Sequence, residues 1–276
     1  MNKIEHTPYI WEKRKWYFIS IFYAREKWGE LTSETLRFYK ERKNMFEVCL
    51  ISFSREKGEN IQVTFITPED NNNNYSNEIQ VYFQSFIDRN PSISKQIFPY
   101  GEVVWCNYSN NSLTWDIFKS TYYSDQYIYF YQKTLDVVLK LANDDFSENN
   151  FFSIAMYMIT KGLFCINKCE QKNALLQIIY TISKEIKNNL KVNNWVKEQV
   201  NKYDFDKVFD VIVSYKNEGE NEYSEELMIW LNEVKTFMKT GDYQFLYFVI
   251  CRICGLTPSR QLVILSLLNK WFEWKR

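Results

Sequence analysis

Two apolar runs, FEVCLISF at residues 46–53 and NIQVTFI at residues 60–66, stand on either side of the six residues SREKGE. Runs of this length, rich in aromatic and β-branched residues, read as strands, and a short polar connector containing glycine closes them into an antiparallel hairpin. A hairpin alone is marginal in water, so neighbouring elements must cover it. WYFISIFY at residues 16–23 is a continuous aromatic and β-branched run and reads as a further buried strand. Between them, Thr32-Ser33-Glu34 predicts the cap of a helix through about Arg42, with Leu36, Phe38 and Tyr39 available to the core. Strand, helix, then hairpin is the opening of an α+β sandwich.

Pro68 to Asn74 reads as a solvated loop. Ile79, Phe83, Phe86 and Ile87 make one apolar stripe in a helix over 77–89, ending before Asn90-Pro91. The stretch FPYGEVVWCNYSNNSLTWD, Phe98 to Asp116, joins a Pro99-Tyr100-Gly101 corner, a short aromatic strand and the amides Asn107, Asn110 and Asn111. Its Asn110-Asn111-Ser112 is read as ending the strand and capping a helix over 114–143. Helical spacing continues over 147–163, 170–190, a shorter piece near 194–215, then 222–239, 242–254 and 258–273, with Ser224, Asp242 and Pro258 as starts and Gly241 and Gly255 as stops. The expected class is α+β, as one domain over 1–276: a mobile arm at 1–13, a sheet-rich part at 14–113 and a helical part at 114–276.

The 34 basic and 34 acidic side chains cancel, so nucleic acid and anionic membranes are not expected partners. No apolar run is long enough for a membrane span and no signal-peptide core opens the chain, which makes the cytoplasm the expected compartment. There is no GxGxxG and no GxxxxGK[ST]. His6 is the only histidine and lies in the arm, which effectively excludes a Ser-His-Asp or Cys-His hydrolase. Cys251-Arg-Ile-Cys254 has redox or zinc-like spacing, but it stands in an apolar run without a second pair, so no metal is expected. Glu102, close to the Pro-Tyr-Gly corner, reads either as an acid or base raised by aromatic neighbours or as an exposed strand charge.

The order of several segments resembles a known family. Trp16-Tyr17 opening a strand, the hairpin FEVCLISFSREKGENIQVTF, then QIFPYGEVVW, SNNSLTWDIF and CRICGLTPSRQLVILSLL are together similar to the thiopeptide-type bacteriocin biosynthesis domain. That family comprises the glutamate-elimination domains of lanthipeptide dehydratases and the stand-alone thiopeptide pyridine synthases. Eliminating members read approximately His-Ile-Arg-Leu-Arg-Phe in the second hairpin strand, where this chain has Asn60-Ile61-Gln62-Val63-Thr64-Phe65. Where they have a histidine near the C-terminus, this chain has Tyr247, and it keeps Arg252 and Gly255.

Glutamate elimination needs cations for the leaving carboxylate and a base for the α-proton. With Gln62 and Thr64 in those places, the resemblance implies a pyridine synthase instead. Such an enzyme joins two dehydroalanines of a modified precursor peptide in a formal aza-[4+2] cycloaddition, then aromatises the ring by losing water and the leader, without a cofactor. On this reading Ser52, Gln62, Thr64, Tyr100 and Tyr247 polarise the amide, Glu102 or Asp116 shuttles the proton and Arg252 orients the polar end. Trp105, Tyr100, Asn111 and Asp116 line the substrate, and other biosynthetic enzymes are possible partners. A glutamate-eliminating lyase and a non-catalytic precursor-binding module are the alternatives.

Overall fold

The computed structural model describes residues 6–93, 108–116, 125–186, 189–219, 223–238 and 243–274. The chain divides into two compact units, one of residues 1–135 with 143–147 and one of residues 136–142 with 148–276.

The first unit is built on an antiparallel sheet of β1 (Tyr9–Trp11), β2 (Arg14–Phe22), β3 (Val48–Ser54), β4 (Asn60–Ile66) and β5 (Ser112–Trp115). β4 pairs β2 along Trp16 to Phe22 and pairs β3 on its other side. The second edge of β2 is shared: β1 takes Arg14 to Trp16 and β5 takes Ile19 to Phe22. Tyr9–Trp11 therefore belongs to the sheet, although residues 1–13 read as an arm; the Glu12-Lys13 turn that joins it to β2 has positive φ at both positions (46° and 63°), the geometry that matches strand twist. The predicted 46–53 and 60–66 hairpin is present, and Lys57 and Gly58 carry the positive φ angles of its loop.

One face of this sheet presents Tyr17, Ile19, Phe53, Ile61, Val63 and Phe65 and is covered by α1 (Trp28–Glu41) and α2 (Ser76–Arg89). Phe38 of α1 lies 5.3 Å from Phe65 and 5.2 Å from Phe83 of α2, and Trp28 stacks on Phe53 at 5.2 Å. α1 begins four residues before the predicted Thr32 cap because Trp28, wholly buried, donates its indole N–H to the Tyr23 carbonyl and fixes the first turn there. The other face splits along the strands. Trp16, Phe18, Val48, Leu50 and Ile66 form an apolar half with Ile128 of α3 (Asp125–Ala142), and Tyr131 of the same helix donates to the Ile51 carbonyl of β3 at 3.2 Å.

The helix predicted to begin near Thr114 is corrected: Ser112–Trp115 is strand, and α3 starts at Asp125. The reason is non-local, since this segment completes the free edge of β2. The predicted strand at 98–107 lies outside the described residues.

The second unit is helical, with α4 (Glu148–Phe164), α5 (Gln171–Glu185), α6 (Leu190–Asn201), α7 (Phe205–Asn217), α8 (Glu225–Met238), α9 (Tyr243–Ile253) and α10 (Pro258–Trp274). The piece read near 194–215 is two helices, because Asp204 accepts from the Lys207 N–H and restarts the chain. Pro258 opens α10, and Gly255 ends α9 at φ 62°. Gly162 lets α4 approach α9: a Cβ there would stand 2.5 Å from Leu246 Cδ2. Gly162→Ala is therefore expected to lower the melting temperature, because overpacking costs about 1–3 kcal/mol while helix propensity returns about 1 kcal/mol. A melting temperature at or above wild type would show that Leu246 moves aside freely.

Among the described residues no helix is long and apolar enough to cross a membrane.

Candidate functional site

Register, which sequence does not display, gathers several predicted site residues. Directly opposed residues of antiparallel strands point to the same face. Thr114 of β5 faces Ser20 of β2, Ser20 faces Gln62 of β4, and Gln62 faces Ser52 of β3. The result is a neutral polar row across four strands, beside the apolar half of the same face. Thr64 lies two residues from Gln62 on that face, between Phe18 and Leu50. Ser52 and Ser20 are buried, and Gln62, Thr64 and Thr114 are half-buried.

The Ser52 hydroxyl donates to Gln62 Oε1 at 3.3 Å, which orients the amide so that its NH2 group points away from Ser52. Thr114 Oγ1 is buried without a partner among the described residues. A buried hydroxyl left in that state costs free energy, and a ligand carbonyl or water would relieve it. Sequence reasoning named Ser52, Gln62 and Thr64 but missed Ser20 and Thr114. The one available signal was a serine inside the otherwise apolar run WYFISIFY.

Asn111 and Asp116 flank β5, both with positive φ (62° and 56°). The Asn111 amide clamps Ser92, accepting from its N–H at 2.8 Å and donating to its carbonyl at 2.9 Å. That contact anchors the start of β5 and accounts for its side chain. Asp116 is different. Its Oδ2 lies 3.2 Å from His6 Nε2, and the His6 ring stacks on Trp115 at 4.5 Å with 10° between the planes. The Trp115 indole points to Gln80 Oε1 at 3.4 Å, and Asn74 donates to the His6 carbonyl at 3.0 Å. The chain's only histidine is thus held against a carboxylate, contrary to its reading as part of a free arm.

Tyr247 and Arg252 belong to α9, in the second unit. Tyr247 is wholly buried, and burial pushes the Cys251 thiol on the same helix up to about 12. Burial also raises the Cys254 thiol, so this pair stays protonated and lacks the thiolate that redox exchange requires. Arg252 is half-buried in the last turn of α9. Tyr100, Glu102 and Trp105 lie outside the described residues. Among the described residues no group of three or more His, Cys, Asp or Glu gathers as a metal site.

No protein-family model matches the chain, and no curated protein matches it. A solved structure does: the pyridine synthase TbtD from thiomuracin biosynthesis aligns with a TM-score of 0.61 at 10% identity, over 93% of this chain and 97% of that one. The α+β architecture described above, a sheet-bearing N-terminal part followed by helices, is therefore similar to the fold of that pyridine synthase.

Proposed function

We propose that this protein is a cofactor-independent pyridine synthase that cyclises a dehydroalanine-bearing precursor peptide. The observation that carries this reading is the likeness to TbtD along nearly the whole of both chains. The neutral polar row agrees with it. Stabilising a departing glutamate calls for cations, whereas tautomerising an amide and aligning two alkenes calls for fixed neutral donors and confinement.

In this reading the NH2 group of Gln62 donates to the amide oxygen of the first dehydroalanine as it gains enol character. Ser52 holds that amide in place, while Thr114 and Thr64 complete the polar wall. Asp116, paired with His6, carries the proton from the amide nitrogen to the amide oxygen, and the hydroxyl so formed later departs as water with a proton from the ring. Aromatisation then proceeds by two eliminations, of water and of the leader, and needs no oxidant.

Incubation with a leader-bearing peptide containing two dehydroalanines is expected to give a product lighter by water plus leader. Loss of glutamate from a glutamylated peptide instead would mark an eliminating lyase, and binding without mass change would mark a precursor-holding module. Asp116→Asn is expected to slow product formation about a hundredfold, in the range of general acid-base contributions, and to flatten its pH profile. His6→Gln should act in the same direction. A full rate with an unaltered profile in both variants would remove the pair from the reaction.

A further inference from the structure

β5 is only four residues long, and Ser112, Leu113, Thr114 and Trp115 are all half-buried. Its own pattern therefore does not choose which side chains face the polar row. In a strand of period two, a slip of one residue exchanges the two faces. Here a slip would put Leu113 or Trp115 opposite Ser20 in place of Thr114, and would carry Asp116 away from His6. The register has to be set from outside the strand.

Both ends of β5 are tied to β2: the Asn111 N–H donates to the Phe22 carbonyl at 2.8 Å, and the Asp116 N–H to the Phe18 carbonyl at 2.9 Å. Only the first end has a second fastening among the described residues. Ser92, just past α2 and 5% exposed, is gripped by two amides. Asn111 bonds its N–H and its carbonyl at once, and Asn110 Nδ2 donates to the same carbonyl at 2.8 Å. The Ser92 hydroxyl donates to Asn111 Oδ1 at 2.9 Å and accepts from the Ala24 N–H, two residues beyond β2, at 3.0 Å. Residues 110 and 111 are thus held to the end of β2 through the main chain and through Ser92. A buried, mutually satisfied polar network of this kind specifies one arrangement, because any slip leaves several groups unpaired. Asn111 takes its place at φ 62°, a conformation that asparagine tolerates better than most residues.

We infer that Asn110, Asn111 and Ser92 are the register lock of β5, and that Asn111 is a positioning residue for the site. It touches no reacting atom, yet it places Thr114 in the row and Asp116 against His6. The lock is a property of the fold; its effect on the reaction rests on the cyclase reading.

The test uses the only histidine as reporter. In the untagged full chain His6 gives a single imidazole signal by proton–carbon NMR, displaced by the Trp115 ring stacked 4.5 Å away. Asn111→Gly keeps a residue suited to positive φ but removes the clamp, and Asn111→Asp keeps the shape but cannot donate to the Ser92 carbonyl. Both are expected to move the signal toward that of a free histidine, and to lower kcat for cyclisation about tenfold with KM nearly unchanged. Asn110→Ala, which removes one amide only, should move it less. Gly162→Ala loosens the other unit and should leave the signal in place. A wild-type signal in both Asn111 variants, or an equal displacement in Gly162→Ala, would overturn the lock whatever the activity. A displaced signal with wild-type kcat would overturn the positioning role. A displaced signal in the variants alongside an inactive wild type would uphold the lock and count against the cyclase reading.

Discussion

Trp28→Ala is expected to destabilise the sheet unit by about 3–5 kcal/mol, the range for emptying a fully buried tryptophan site. Three contacts make this position severe. The ring is wholly buried against Phe53 at 5.2 Å, its N–H satisfies the Tyr23 carbonyl at 2.8 Å, and the Arg25 guanidinium lies 4.7 Å over it. Truncation leaves a cavity and an unsatisfied carbonyl together, and both terms have the same sign. A domain holds about 5–15 kcal/mol in total, so the variant should melt far below wild type or fail to accumulate. Trp11→Ala, where the ring is 40% exposed, is the control and should be nearly silent. Equal melting temperatures for the two variants would contradict the packing described.

The second large effect is functional. Gln62→Leu keeps the side-chain volume but removes the amide from the middle of the polar row. Loss of one donor aimed at developing oxyanion charge costs about 10²–10³ in rate, so single-turnover cyclisation should fall by about that factor. Folding should be nearly unaffected, because Gln62 is half-buried and its single partner among the described residues is Ser52 at 3.3 Å. A wild-type rate in Gln62→Leu, with wild type active, would move the reaction away from this face. An inactive wild type would instead count against the cyclase reading itself.

The hairpin at 46–66 was legible because its signal is local: β-branched and aromatic runs on either side of a glycine-bearing turn. β5 was not. Four residues, Ser112–Trp115, carry too little pattern, and their strand character comes from the free edge of β2 almost a hundred positions earlier. The polar row was half legible for the same reason. Gln62 and Thr64 could be named because they stand where the resembled family carries its arginines, and Ser52 as a neutral donor in the same hairpin, whereas Ser20 and Thr114 join them only through register. His6 and Asp116 illustrate the limit, since nothing in either neighbourhood announces a contact between residues so distant in sequence. The α+β class, in contrast, follows from the mere order of strand-like and helix-like segments, which long-range pairing does not alter.

The bond from Tyr131 to the Ile51 carbonyl bears on how a peptide can be recognised. β3 pairs β4 on one side, and Tyr131 occupies an outward carbonyl in the middle of its other side. Extended peptides often join proteins by adding themselves as a strand to such an edge, which requires an uninterrupted ladder of free backbone groups. Here that ladder is broken at Ile51. The same plug that guards the protein against edge-to-edge self-association leaves β3 unable to take up a peptide by backbone pairing at this point, so recognition there must be made by side chains.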